Sequence, residues 1–178
     1  MEKVIQLIKQ DPMRVQVLEQ IKLLDLPQCY CAAGFVRNLV WDHLHEKTSR
    51  TPLNDVDVIY FDPQDTSDER DIQLEQQLSD AMPDIQWQVR NQARMHVRNG
   101  DRPYQDVVDA MSFWPEKETA VGVRKLSEHR YQCISSFGFE SLFALHLSYN
   151  PNRRRLEFEE RVEAKGWLVT WPKLTVVY

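Results

Sequence analysis

Two stretches decide the fold: Ala33 to Asn38, which reads AGFVRN, and Asn54 to Asp62, which reads NDVDVIYFD. The second contains the strongest strand signal in the chain, because β-branched and aromatic residues occupy every position of 56–61 except Asp57. The first begins an apolar stripe over 33–45 that repeats with helical spacing. Together they predict a helix that precedes a buried strand, with polar residues at the start of each.

The strand carries a pair of carboxylates. Side chains at positions i and i+2 of a strand point to the same face, so Asp55 and Asp57 project together while Val56 and Val58 point the other way. Two adjacent carboxylates repel each other unless a cation lies between them. Mg²⁺ prefers oxygen ligands and is commonly held by one or two carboxylates together with substrate phosphates. The pair therefore predicts a site for a divalent metal and a phosphorylated ligand.

The start of the preceding helix carries groups that bind anions. Gly34 lets the backbone approach a ligand closely, and the free N–H groups of a helix start attract phosphate oxygens. Arg37 lies on the first turn, where its guanidinium can reach the same phosphates. Metal ligands on a strand and phosphate ligands at a helix start match a nucleoside triphosphate that is bound through Mg²⁺.

The other patterns predict helices and short strands in one compact unit. A helical region over 1–25 is interrupted at Asp11-Pro12, and further helices are expected over 72–82, 107–114, 142–147 and 153–165. Strands are expected over 85–89, 119–123 and 131–134. We expect an α/β (α+β) fold with a small mixed sheet flanked by helices. A core over 1–134 would carry a helical region over 135–178, although one continuous domain fits as well.

Composition limits the classes of protein to consider. The 178 residues are 42% hydrophobic and 28% charged, which excludes wholesale disorder. The net charge of −5 argues against a dedicated non-specific nucleic-acid binder. Three cysteines without a CxxC pair, no secretion signal and no apolar run long enough for a membrane span favour a reduced, soluble cytoplasmic protein.

These motifs resemble the polymerase-β-like nucleotidyltransferase superfamily, whose members carry Gly-Gly or Gly-Ser at a helix start and Asp-x-Asp on the next strand. The run from Gly34 to Asn38, followed by Asp55 and Asp57, is similar to motifs of CCA-adding enzymes and bacterial poly(A) polymerases. More narrowly, the chain resembles a bacterial nucleotidyltransferase-like family, also in its segments 89–96, 119–124 and 137–143. The resemblance implies phosphate binding by Gly34, Arg37 and Asn38.

The chain departs from the superfamily pattern at two places. The superfamily usually has Gly-Gly or Gly-Ser, whereas the pair here is Ala33-Gly34. Ala33 supplies no side-chain hydroxyl, so phosphate contact would fall to backbone N–H groups and Arg37. The third acidic residue, which completes the metal site in active members, has no clear match. The weak candidates for this third ligand are Asn91, which is uncharged, and Glu118.

The resemblance implies an enzyme that uses Mg²⁺ or Mn²⁺, held by the catalytic residues Asp55 and Asp57. An acceptor hydroxyl would attack the α-phosphate of a nucleoside triphosphate, and pyrophosphate would leave. The acceptor is left open among a small molecule, a protein side chain and an RNA end. The missing third carboxylate favours a second hypothesis, a catalytically degenerate protein that binds nucleotide or a partner on the same fold.

Arginines recur every four positions at 90, 94, 98 and 102. On one helix they would form a basic face that could dock phosphates or an acidic partner. Because 85–90 is predicted as a strand and Pro103 follows, we favour ordinary solvated side chains over a docking surface.

Overall fold

A computed structural model describes all residues from 1 to 178. Nine α-helices and one short 3-10 turn at Lys117–Thr119 surround the strands. The helices are α1 Glu2–Lys9, α2 Pro12–Leu23, α3 Gly34–Leu44, α4 Asp68–Ala81, α5 Gln92–Asn99, α6 Val107–Met111, α7 Glu140–Phe143, α8 Arg155–Lys165 and α9 Trp167–Thr170. The break between α1 and α2 falls at Asp11-Pro12, where the Asp11 side chain caps α2 and proline occupies its first turn.

Seven strands form two sheets. They are β1 Tyr30–Ala32, β2 Val56–Tyr60, β3 Trp87–Asn91, β4 Val121–Lys125, β5 Tyr131–Ser135, β6 His146–Ser148 and β7 Thr175–Val177. The main sheet has the order β3-β2-β1-β4-β5, and β6 pairs with β7 in a small parallel sheet. In the main sheet, β2 runs parallel to β3 and antiparallel to β1. The architecture is therefore mixed α+β, and the prediction of a small mixed sheet flanked by helices is confirmed.

The two faces of the main sheet have different roles. Val56, Val58 and Tyr60 point into a large apolar cluster that α1, α2, α3 and α4 cover. Ile59 points to the other face, where a smaller cluster with Met95 and Met111 packs under α5 and α6. This second face is only partly covered. The uncovered part is where polar side chains of β2 can meet a ligand.

The C-terminal region folds back on the main body. Phe158 of α8, as well as Trp167 and Trp171, belong to the large cluster that also contains the sheet residues. The predicted helix over 142–147 is wrong beyond its first two residues, because α7 spans Glu140–Phe143 and β6 begins at His146. Leu145 lies at φ +57, a left-handed conformation that ends the helix and turns the chain into β6.

Several predicted boundaries shift, since the helix expected over 107–114 ends at Met111 and the strand expected over 119–123 occupies Val121–Lys125. Helix α4 begins at Asp68, four residues before the predicted start, because three acidic residues in its first turn favour the helix N-terminus. The strand expected over 85–89 is displaced to Trp87–Asn91. None of the helices combines the length and the apolar character that crossing a lipid bilayer requires.

Candidate functional site

Strand β2 places Asp57 on the partly covered face of the sheet. Its neighbours Val56 and Val58 are buried on the opposite face, as the alternation of a strand requires. Asp57 lies opposite Ala32 of β1 on one side and Gln88 of β3 on the other. Asp55 precedes the strand and lines the same cavity as Asp57. The two carboxylates are therefore brought together, as the sequence predicted.

The turn from β1 into α3 lies beside Asp57, because Ala32 is the strand partner of that residue. The unusual backbone conformation belongs to Ala33, at φ +55 and ψ −124, rather than to Gly34. This region of backbone space suits glycine, so an alanine there is strained. Gly34 is the first residue of α3 and lines the cavity. The expected approach of the backbone to a ligand thus depends on the conformation of the residue before it.

Arg37 is held rigidly at the wall of the cavity. Its guanidinium lies 5.0 Å from the ring centre of Trp41 and 4.5 Å from that of Trp167. Nη1 donates a hydrogen bond to Oγ1 of Thr119 at 2.6 Å, and both Nε and Nη2 donate to Oδ1 of Asn38. Burial lowers the pKa of Arg37 to about 10, so the group remains a cation at neutral pH.

These contacts also define the place of Asn38. A guanidinium carries five N–H donors, and three of those on Arg37 are engaged in the bonds to Asn38 and Thr119. The remaining two have no acceptor within the chain, and Arg37 is one of the residues that line the cavity. Asn38 therefore fixes the orientation of Arg37, although it reaches the cavity wall as well.

The cavity is a cleft of about 690 Å³ between the sheet and the C-terminal helices. Its ionisable lining consists of five cations and three acids, and three of the cations are paired with carboxylates that do not line the cleft, so only Arg37 and Lys165 are without an ion-pair partner. The acids are Asp55, Asp57 and Glu157, and the cations are Arg37, Arg90, Arg153, Arg161 and Lys165. Asp55 and Asp57 on the sheet side thus face Arg161 and Lys165 of α8 across the cleft.

Sequence reasoning missed the contribution of α8 to this wall. Arg161 and Lys165 are four residues apart, so they share one face of the helix, and both line the cleft. Their spacing was visible in the sequence. Their approach to Asp57 was not, because it depends on a contact more than 100 positions away along the chain.

Two ion pairs hold α8 and the residues just before it against the body. Nε and Nη2 of Arg161 lie 2.5 and 3.2 Å from the carboxylate of Glu116, which is fully buried. Arg153 bonds Asp101 with both terminal nitrogens, at 2.7 and 2.6 Å. Paired two-point contacts of this kind fix geometry as well as charge. The cationic wall is therefore fixed in place.

The two sheet carboxylates have no such partners. Neither Asp55 nor Asp57 accepts a hydrogen bond or forms an ion pair within the chain, whereas the pairs above are short and direct. Burial, and next the negative charge of Asp55, raise the pKa of Asp57 to about 6. Arg37 and Lys165 act on this carboxylate only through space and oppose the shift. Such a destabilised pair fits a divalent cation, which would compensate both the repulsion and the desolvation.

The structure does not bring the candidates for a third ligand to this pair. Asn91 lies three positions along β3 from Gln88, roughly 10 Å away from the level of Asp57, and points to the opposite face. Its amide caps α5 and holds the loop after β2 through the backbone of Asp62 and Asp65.

Glu118 is also engaged elsewhere. Both of its carboxylate oxygens accept hydrogen bonds from Ser148, at 2.7 Å each, in a fully buried position. On β3, the residues that share the face of Asp57 are Gln88 and Arg90. No group of three or more His, Cys, Asp or Glu side chains is arranged to hold a metal ion.

The four arginines from 90 to 102 do not form a common basic face. Arg90 lies on β3 and pairs with Glu75, while Arg94 lies on α5 and pairs with Asp68 and Asp71. Arg102 follows that helix and pairs with Asp109. A strand-to-helix junction at Asn91 separates the first arginine from the next. The docking surface considered from the sequence is therefore absent.

Comparisons with known proteins bear on the family and the fold. Residues 19–176 match a family model described as Nucleotidyltransferase. A solved NMR structure, described as revealing a CCA-adding enzyme head domain, is similar to this chain with a TM-score of 0.86 and 30% sequence identity. The similarity covers 99% of this chain and 95% of that one. A search of curated proteins gives no significant match.

Proposed function

The chain belongs to the nucleotidyltransferase family, and on that premise we propose that its cleft binds a nucleoside triphosphate with Mg²⁺ or Mn²⁺ and transfers the nucleoside monophosphate to an acceptor hydroxyl. Family and fold indicate nucleotidyl transfer. The metal, the triphosphate and the catalytic roles of individual residues are the proposed part. The observation that carries the proposal is the unpaired carboxylate pair Asp55 and Asp57 facing fixed cations across one cleft.

Asp55 and Asp57 would hold the metal. Their oxygens have no competing donors, and Mg²⁺ prefers oxygen ligands of this kind. When bound, such an ion stabilises the negative charge that develops on the phosphate oxygens during transfer. Gln88, which lies opposite Asp57 on β3, contributes an uncharged amide beside the pair.

The opposite wall would bind the phosphates. Arg37 presents its two unengaged N–H groups from a position fixed by two indole rings, so little side-chain freedom is lost when an anion binds. The first N–H groups of α3, at Gly34, have no carbonyl partner within the helix and favour phosphate oxygens. Lys165, which is exposed and forms no ion pair within the chain, adds a charge to the same wall. A charged ligand held between these groups and a metal would be desolvated and oriented.

A second candidate function follows from the composition of the metal site. Glutamine and arginine stand beside Asp57 on β3, where no third carboxylate is present, so the cleft could bind nucleotide without turnover. The two functions share the same binding step and differ only in whether pyrophosphate is released. One set of proteins can therefore test both.

The experiment compares the wild-type protein with Asp55→Asn, Asp57→Asn and the surface control Glu128→Gln, which lies outside the cleft. Calorimetric titration with ATP and Mn²⁺ should show metal-dependent binding that both cleft variants lose and the control keeps. In assays with α-labelled nucleoside triphosphates and mixed acceptors, transfer should fall by roughly 10²–10³-fold in the cleft variants.

Metal-dependent ATP binding without pyrophosphate release from any acceptor would support the degenerate binding protein instead. Equal ATP affinity in wild type and Asp57→Asn, with or without metal, would contradict both functions. Circular dichroism spectra of all four proteins should coincide, which separates a lost ligand site from a lost fold.

A further inference from the structure

A second cavity lies on the other side of Asp55. It has a volume of about 590 Å³ and lies between the start of α2, the C-terminal end of α4 and the turn that leads into β3. We call it the side groove. Its size falls within the range of small-molecule sites, roughly 300–1,000 Å³. No function described above uses it.

The side groove meets the cleft at two residues. Leu53 and Asp55 line both cavities, so the segment before β2 forms a common rim. A molecule in the side groove would therefore touch one of the two carboxylates that face the cleft. A second substrate needs this relation to the site, because its reactive group must come within reach of the first.

The two cavities differ in their charged lining. Cations and acids both line the cleft, whereas the side groove contains no cation and its only ionisable residues are Asp55 and Asp84. Apolar side chains such as Met13, Leu53 and Ile85 form most of its remaining wall. Phosphates are repelled by such a surface, while an apolar body with a positive charge is complementary to it.

We propose that the side groove binds the acceptor, and that this acceptor is a small hydroxyl-bearing molecule with an apolar body and a protonated amine. The proposal rests on the proposed function of the cleft. In the reaction, the acceptor oxygen forms a bond to the α-phosphorus of the triphosphate and the bond from this phosphorus to the bridging oxygen breaks. Pyrophosphate leaves with the electron pair, and the hydroxyl proton passes to solvent.

The test uses two probes that differ in charge, 6-aminohexan-1-ol and 6-hydroxyhexanoate. Protein-detected NMR titrations should show shifts at residues 81–86 with the amino alcohol and weaker binding of the carboxylate. Asp84→Arg should reduce the affinity for the amino alcohol about 5-fold or more, the effect of losing one exposed charge contact and gaining a repulsive one.

Two further variants complete the experiment. Ala81→Trp places a large ring at the exposed rim of the side groove and should block the probe. Asp80→Arg changes an exposed acid on α4 that lines neither cavity, and should leave binding unchanged. ATP binding with Mn²⁺ is measured on the same proteins, and should persist in all of them.

The results separate the two proposals. ATP binding that is absent from the wild type would overturn the proposed function, while the probe titrations would still report on the side groove. Equal or tighter binding of 6-hydroxyhexanoate, or of a short RNA with a free 3′-hydroxyl, to residues 81–86 would overturn the acceptor proposal. So would a dimer that Ala81→Trp abolishes, because it would assign the side groove to a second copy of the chain.

Discussion

Asp57 belongs to strand β2 and Asp71 contacts the same strand through Tyr60, yet the surroundings of the two carboxylates differ. Asp71 is buried on α4 and accepts hydrogen bonds from the Tyr60 hydroxyl, the Asn91 backbone and Arg94. Asp57 points into the cleft and accepts none. The same contrast separates Glu116 and Glu118, which are fully partnered, from Asp55. Carboxylates that hold the fold together have their partners within the chain, whereas Asp55 and Asp57 have no hydrogen-bond or ion-pair partner there.

The largest effect should follow from removing a partnered carboxylate. Asp71→Ala leaves the buried Tyr60 hydroxyl and the Asn91 backbone N–H without their acceptor and removes one of the two carboxylates that pair with Arg94, and we expect a loss of about 3–5 kcal/mol in the free energy of unfolding. Urea denaturation monitored by circular dichroism measures this value. A loss below about 1 kcal/mol, the size of a surface pair, would show that Asp71 is not structural and would remove the contrast with Asp57.

In metal-free protein, Asp57→Asn should raise the free energy of unfolding, whereas Asp71→Ala should lower it. The folded-state pKa of about 6 lies above the ordinary value, so ionisation of Asp57 destabilises the wild type as pH rises from about 4 through 6. The variant lacks this penalty and should be more stable by about 1–3 kcal/mol above pH 6, with little difference near pH 4. Urea denaturation in EDTA at several pH values measures the profile. A variant whose free energy of unfolding equals that of the wild type at every pH would contradict the conclusion that Asp57 is unpaired.

A smaller effect is expected when one cation of the cleft is removed. Lys165 forms no ion pair with the chain, unlike Arg161, so Lys165→Ala should leave stability unchanged. It should weaken ATP binding about 5-fold, the effect of one exposed charge at close range. Calorimetric titration measures the affinities of the wild type and of Lys165→Ala for ATP and for adenosine. The affinity for adenosine should be the same in both proteins. Glu163→Ala, on α8 but outside the cleft, serves as the control, and an equal loss there would contradict a local effect.

The smallest expected effect concerns the strained turn next to Asp57. Ala33→Gly removes the side chain from a backbone conformation that glycine adopts readily, and should stabilise the protein by about 0.5–1 kcal/mol. Ala33→Val should destabilise it, because a β-branched residue fits this conformation less well. The melting temperatures of the two variants and of the wild type, measured by thermal unfolding, give the order of their stabilities. The reverse order would show that this turn is not strained.

Local features of the site were predictable from the sequence. The strand at Val56–Tyr60 and its carboxylates follow from alternation and β-propensity, which act over a few residues. The helix after Ala33 likewise follows from its apolar spacing. Both features therefore appear where expected, and the family resemblance that depends on them is confirmed.

Other features depended on contacts that no local pattern reveals. Arg161 reaches the cleft because Phe158 anchors α8 in the core and Glu116 binds its guanidinium, and neither contact leaves a sequence signature. Asn91 was considered as a ligand although asparagine before a helix is a common N-cap, which is the role it has. The strain at Ala33 was hidden for a different reason, since alanine gives no signal of a left-handed conformation.

The aromatic surroundings of Arg37 give the site its own optical signal. The ring of Trp41 lies 5.1 Å from that of Trp171 and 6.3 Å from that of Trp167, and the guanidinium lies over two of the three indoles. Ultraviolet emission from indole depends on charge near the ring. An anion that pairs with Arg37 would reduce the field on these rings, so tryptophan fluorescence can follow occupancy of the cleft in an unlabelled sample.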